Sequence, residues 1–258
     1  MKVYPDTTIC VANAEAVSLE LDVTPEMGSV RLLPRFGDTA VLPLDNGSFD
    51  FPILTAPNSV KVEWLASGSS ETADAEFEMT VEVVSRHYFT LDQIKAYGDD
   101  RDDFDDLDDE VLDMARRAAT EVFEQASGRS FVKRIGRTKD YGRGDLLVLA
   151  HHDIQEVTTS GYAQASDSQL TRKYGCGPFP QWVEYVYGAE YMPAEVSRAV
   201  LELAAYTLRP SNRPIGATGE STDAGYIHFT TAGRDGATAI PEVNAAIQQF
   251  GAGVHYLW

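Results

Sequence analysis

The sequence predicts an α+β protein: an N-terminal antiparallel β-sandwich of Ig-like type, a mixed domain with two long helices and several strands, and an extended C-terminal arm. Three observations lead there. Apolar and polar residues alternate with a period of two over residues 1 to about 86. Two stripes of helical period, one from Val111 and one from Val196, interrupt later strand-like runs. Residues 211 to 225 are rich in Gly, Pro, Ser and Thr and have little to bury. The expected segments are therefore 1–87, 88–210 and 211–258.

The sandwich rests on runs such as Val17-Ser-Leu19-Glu-Leu21-Asp-Val23, Val60-Lys-Val62-Glu-Trp64 and Phe77-Glu-Met79-Thr-Val81-Glu-Val83, each the mark of a half-buried strand. Turn residues stand between them at Pro25, Gly28, Gly37-Asp38, Asn46-Gly47, Pro57-Asn58 and Ser67 to Ser70, at spacings that suit six or seven short strands and no helix. Thr90 followed by Gln93 has the pattern of a capping box and opens a short helix over Leu91 to Tyr97. The run Asp99 to Glu110 then leads into a helix whose stripe is Val111, Leu112, Ala115, Ala118, Ala119, Val122, Phe123 and Ala126, ended by Gly128. Strands are expected at 131–136, 146–150, 154–159, 169–174 and 182–187, the last, Trp182-Val-Glu-Tyr-Val-Tyr187, being the clearest. A second long helix starts at Pro193 and buries Val196, Ala199, Val200, Leu203, Ala204 and Leu208 before Pro210. Beyond the arm come a short apolar strand, Tyr226 to Phe229, a turn at Gly233 to Gly236 and a small helix from Pro241 to Phe250.

The formal net charge of -19 opposes any general affinity for DNA or anionic membranes. Its distribution is uneven: Asp and Glu outnumber Lys and Arg by nine in residues 1–88, by nine again in 89–128, and by one from 129 onward. Cys10 and Cys176 lie far apart with no CxxC and no Cys/His cluster, so neither a disulfide framework nor structural zinc is expected. The first residues lack a signal-peptide core and no stretch reaches the about 18 apolar residues of a membrane span, so cytoplasmic synthesis and no membrane association are expected.

Chemistry-bearing motifs are few. The acidic run lacks the glycine that an EF-hand loop needs at its sixth position, and it reads as a solvated helix lead-in. His151 and His152 are adjacent, so on a strand they would face opposite ways and could not converge on one ion. His87, His228 and His255 are scattered. No GxGxxG, GxxxxGK[ST], GxSxG or HExxH occurs, and no catalytic residue, cofactor or metal is expected. Arg129, Lys133, Arg134, Arg137, Lys139 and Arg143 form a basic stretch around Asp140, suited to an acidic surface of a partner or of a neighbouring copy's Asp102, Asp105 and Asp108.

Three pieces of the second half resemble the head-to-tail connector, or adaptor, family of tailed bacteriophages: Phe89 to Tyr97 with the acidic loop and Leu112 to Phe131, the helix Pro193 to Tyr206, and Thr231 to Asn244, which looks like the C-terminal segment of adaptors from phages of actinobacteria. The likeness covers about residues 88–250, and the N-terminal sandwich is not part of the family pattern. The resemblance implies a virion neck protein without enzymatic activity: a homo-oligomeric ring, twelve-fold like the portal, that joins capsid to tail, meets the portal protein and a further neck, stopper or tail-terminator protein, and lets phage DNA pass. Under it, Tyr226, Ile227, Phe229, Ile240, Pro241 and Val243 are expected to contact the portal, and Arg129, Lys133, Arg134 and Arg137 to meet Asp102, Asp105 and Asp108 of the next subunit. Two other readings remain open. One is an adhesion or carbohydrate-binding protein acting through the sandwich, with Trp64 or another exposed aromatic stacking on the ligand; the other is a metal-dependent hydrolase using the acidic run.

Overall fold

The computed structural model describes residues 1–13, 16–21, 27–66, 74–97, 104–173, 178–209, 219–222, 225–228 and 237–252. The alternating runs of the first third form β1 (Lys2–Val3), β2 (Thr8–Ala12), β3 (Val17–Leu21), β4 (Met27–Pro34), β5 (Ala40–Pro43), β6 (Ser48–Phe51), β7 (Asn58–Ala66) and β8 (Phe77–Val84). They make a three-stranded sheet, β1-β3-β6, and a five-stranded sheet, β2-β8-β7-β4-β5. Val3, Leu19, Leu21, Phe49 and Phe51 of the first share one core with Ile9, Val11, Val30, Leu32, Val60, Val62, Trp64, Met79, Val81 and Val83 of the second. Trp64 is fully buried, its ring edge-on to Phe49 at 5.9 Å.

The expected sandwich differs in two respects. Eight strands are present, and β1 pairs with β3, and β2 with β8, in parallel. Alternation tells which face a residue shows and says nothing of strand direction.

The next residues form α1 (Leu91–Lys95), started by the anticipated capping box: the Gln93 amide donates to the Thr90 hydroxyl at 3.2 Å and the Thr90 amide to the Gln93 side chain at 2.8 Å. The long helix α2 (Asp109–Ser127) ends at Gly128, whose φ of 67° is left-handed and favours glycine. Its inner face is Leu112, Ala115, Ala119 and Phe123 together with Asp113 and Arg116. Of the expected stripe, Val111, Ala118 and Val122 face outward instead. Eight positions span more arc than one contact covers, so one edge of the stripe stays outside.

Six strands follow: β9 (Arg134–Asp140), β10 (Leu146–Val148), β11 (Ile154–Val157), β12 (Tyr162–Ser166), β13 (Gln169–Arg172) and β14 (Gln181–Tyr187). They form the sheets β11-β14-β9 and β10-β13-β12 around Leu149, Ile154, Tyr162, Leu170, Val183 and Tyr185. The strand β12, with one large apolar residue, carried too little pattern to be foreseen. The chain then forms α3 (Ala194–Leu208), the hairpin β15 (Gly219–Thr222) and β16 (Gly225–His228), and α4 (Pro241–Phe250).

Contacts divide the chain into two units, 1–87 with 130–190, and 88–129 with 191–258. The contiguous segment 88–210 is thus split: its strands group with the sandwich, and its helices with the C-terminal residues. In the first unit, Arg134 of β9 is paired with Glu82 of β8, and Glu184 of β14 with Arg35 beyond β4. In the second, the Ser197 hydroxyl donates to the Tyr88 carbonyl at 2.6 Å, and the Tyr88 hydroxyl donates to Glu124 at 2.7 Å.

The helix α4 belongs to this second unit. Val243, Ala246 and Ile247 are buried, Thr238 and Asn244 lock its start through mutual hydrogen bonds, and at its end the Ala252 amide donates to the Ser127 carbonyl at 2.8 Å while Arg129 Nη1 donates to the Phe250 carbonyl at 3.1 Å. The arm expected to extend over 211–258 is thus not extended throughout: residues 237–252 are bonded to and packed within their own chain. Val243→Ala should therefore lower stability by about 2 kcal/mol, the cost of a small cavity. Gln248→Ala on the exposed side of α4 should change it by less than about 0.5 kcal/mol. Urea unfolding followed by circular dichroism measures both.

Candidate functional site

Antiparallel pairing of β9 with β14 sets Lys139 opposite Trp182 and Arg137 opposite Glu184. Side chains alternate across a sheet, so these four share one face, and Gly136, Thr138, Asp140, Val183 and Tyr185 lie on the other, toward the core. On the outer face the Arg137 guanidinium lies 4.2 Å from the Trp182 ring centroid; Lys139 Nζ lies 5.8 Å from Trp182 and 5.5 Å from Tyr141. Trp182 is 49% exposed and Tyr141 63%. The ring faces attract these cations and so favour their outward placement. Glu184, 6% exposed, sits between Arg35 and Arg137 and is spent on them.

The base of this face is fixed by Asp140, 1% exposed. Its carboxylate accepts from Arg172 Nε at 2.6 Å and also from Arg172 Nη2, from the Tyr162 hydroxyl at 2.7 Å, and from the Gly142 amide at 2.8 Å. The Arg172 hydrogen bonds, then the Tyr162 and Gly142 donors, hold the Asp140 carboxyl down at about 2 against the desolvation that opposes them. Gly142, at φ 76°, carries no Cβ where the Phe179 ring packs, and Arg172 lies 5.5 Å from that ring. The turn that carries Tyr141 is thereby pinned from both ends.

The basic stretch does not form one surface. Arg129 belongs to the helical unit and binds the end of α4; Arg134 is 11% exposed at its side chain and paired with Glu82; Lys133 is half-buried; Arg137 and Lys139 alone of the β9 cations stand outward. Asp105, Asp106 and Asp108 are exposed ahead of α2, and Asp109, its first residue, is exposed and bound to Lys95 at 2.6 Å. Asp102 lies outside the described residues.

Of the expected portal contacts, Ile240 and Val243 are 7% and 0% exposed, inside their own chain, and Pro241 is exposed. Tyr226 and Ile227 lie in β16, and Phe229 falls outside the described residues. Trp64, the candidate ligand-stacking aromatic, is 0% exposed and serves the core of the sandwich. Among the described residues no three His, Cys, Asp or Glu gather as a metal site, and no helix is long and apolar enough to cross a membrane.

His151 lies in an aromatic cluster, stacked on Tyr187 at 3.9 Å and hydrogen-bonded through Nδ1 to the Tyr185 hydroxyl at 2.8 Å. Burial lowers the His151 pKa and raises that of Tyr185 to about 12. Both groups stay neutral near pH 7, as a packed core requires. Sequence reasoning missed Trp182, Tyr141 and Lys139 as a unit. The alternation Arg137, Lys139, Tyr141 was a signal, but the partner strand that completes the face is fixed by register alone.

No family model matches this chain, and no curated protein matches it. Among solved structures it is similar to a chain in the virion of a native gene transfer agent (GTA) particle, with 17% identity, a TM-score of 0.43, and coverage of 64% of this chain and 90% of that one. It is also similar to a chain in the neck of an empty GTA particle computed with C6 symmetry, with 18% identity, a TM-score of 0.39, and coverage of 50% and 83%.

Asp140 yields a pH test. Its folded pKa of about 2 is below the 3.8 of an unperturbed carboxyl, so its contribution is complete above about 4 and disappears as pH falls through 2. Asp140→Asn should cost about 3 kcal/mol at pH 7, because it leaves the Arg172 charge uncompensated. The wild type's loss of stability on acidification should be smaller in the variant by about 2 kcal/mol. Denaturant midpoints measured from pH 7 to pH 2 would reveal it; parallel curves would exclude this role for Asp140.

Proposed function

We propose that the chain is a structural neck protein of a phage-like particle, an adaptor that assembles as a ring beneath the portal and carries the DNA channel toward the tail. One observation supports this above the rest. A single acidic chain presents two surfaces of opposite chemistry, an exposed run of aspartates before α2 and an exposed cation and aromatic face on β9 and β14. Unlike surfaces on one chain favour head-to-tail association, which closes into a ring when the rotation per subunit divides a full turn. The order of pieces that resemble adaptors, from Phe89 through Asn244, agrees with the same reading. An acidic chain of net charge -19 also suits a channel through which DNA must slide without adhering.

In this reading the portal contact belongs to the hairpin β15–β16, which includes Tyr226 and Ile227, and not to the buried residues of α4. An added hairpin can extend a partner's sheet or lie in its groove. The ring is expected to be twelve-fold, with a further neck or tail-terminator protein on its other side.

Electron microscopy of the chain mixed with the portal protein of the same particle tests the reading. A ring stacked on the portal is expected. Replacing residues 219–228 by a short Gly/Ser linker should abolish attachment and leave the unfolding temperature within about 2 °C. Attachment that survives the replacement removes the hairpin assignment; the absence of any ring on the portal removes the adaptor reading.

A further inference from the structure

The outward edge of α2 has an unusual composition. Val111, Met114, Ala118 and Val122 succeed one another at spacings of three, four and four, which on a helix is one continuous stripe. Val111 is 36% exposed, Met114 51% and Val122 42%, while the inner side of the same helix buries Asp113 against Arg116, Oδ1 to Nη2 at 2.6 Å. The inner side is otherwise apolar, with Leu112, Ala115, Ala119 and Phe123 buried, so the exposed stripe is a second apolar edge on the same helix, of the kind found at contact surfaces. The stripe runs about 16 Å from Val111 to Val122. At its N-terminal end stand the exposed Asp105, Asp106 and Asp108.

The β9–β14 face carries the complementary set. Arg137, Lys139 and Tyr141 extend about 13 Å along the chain, with Trp182 beside Lys139. It offers cations for the aspartates, and exposed rings for the stripe. Met114 suits such rings in particular, since its thioether is polarisable and adaptable. Nucleic acid would satisfy the cations but has no counterpart to the stripe, and the charge of the whole chain repels it. Among the described residues both surfaces are exposed, and their chemistries match each other, which suits a second copy as the occupant.

The geometry points to a specific contact between copies: the outer face of α2, with its aspartate lead-in, seats on the Arg137, Lys139, Tyr141 and Trp182 face of a second copy. This rests on the ring reading and names the surfaces that build the ring. The two surfaces differ, so the contact is heterologous and repeats from copy to copy. The charges set orientation and salt sensitivity, and the stripe against the rings supplies the buried area.

The test is a photo-crosslink in the full chain. The amino acid p-benzoylphenylalanine is placed at Met114, isotope-labelled and unlabelled chains are mixed on the portal, and inter-copy adducts are mapped by mass spectrometry. Adducts are expected on tryptic peptides that contain Tyr141 or Trp182. The substitution K139E in the receiving copy should reduce them at least tenfold, and D105K, D106K and D108K in the copy bearing the crosslinker should restore them. All four positions are exposed, and circular dichroism checks that each variant is folded. Adducts on another surface of the second copy overturn this contact and leave the ring intact. No inter-copy adduct where microscopy shows a ring also overturns the contact alone, whereas no adduct and no ring overturn the adaptor reading with it.

Discussion

The carboxylate of Glu184 is the constraint on which the first unit depends. It lies on β14, 6% exposed, and is bound by Arg35 from the end of β4 and by Arg137 from β9. With the pair Arg134–Glu82 it ties strands of the sandwich to strands that lie much further along the chain. Each half has its own apolar cluster, one around Trp64 and Val81 and one around Val183 and Tyr185. Charged pairs that bridge two cores supply specificity of placement, because a misplaced partner would leave a desolvated charge uncompensated. The outward position of Arg137, and with it the cation over Trp182, is a consequence of that arrangement.

Placement of charge governs the second unit in another way. The Asp113–Arg116 pair occupies positions on α2 that an ordinary amphipathic helix would fill with apolar residues. Tyr88 links to Glu124 and Ser197, Tyr97 to Glu202, and Arg129 to the end of α4, so that the helices are joined by named polar bonds as well as by Leu112, Phe123, Val200 and Val243. Apolar residues not needed inside are left on the outer edge of α2. The inner side of α2 thus combines apolar packing through Leu112, Ala115, Ala119 and Phe123 with one buried ion pair, while Val111, Met114 and Val122 stay exposed.

The two units thus share a design in which buried ion pairs set geometry. Asp140 shows the same logic at smaller scale. A carboxylate held near pKa 2 by Arg172, Tyr162 and the Gly142 amide fixes a turn, and the turn presents Tyr141 next to Lys139. A local surplus of positive charge can persist in a chain of net -19 because screening confines the influence of distant acids to about 10 Å at moderate salt.

The amino-acid sequence by itself determined the α+β class, the sandwich alternation, the capping box at Thr90, the stop at Gly128, the spans of α3 and α4 and the strand at 182–187, because each rests on periodicity or on the chemistry of a few neighbouring residues. It did not determine strand direction in β1 and β2, the presence of β12, or the division of residues 88–210 between two units. It also assigned Ile240 and Val243 to a partner, since a short apolar segment after a polar arm looks insufficient to order itself when the helices that receive it are far away in sequence. Tertiary structure decided those points, as it decided that Arg134 is spent on Glu82 while Arg137 and Lys139 face outward. The physical reason is the same throughout: periodicity records which residues want burial, whereas the identity of the surface that buries them is a property of long-range pairing.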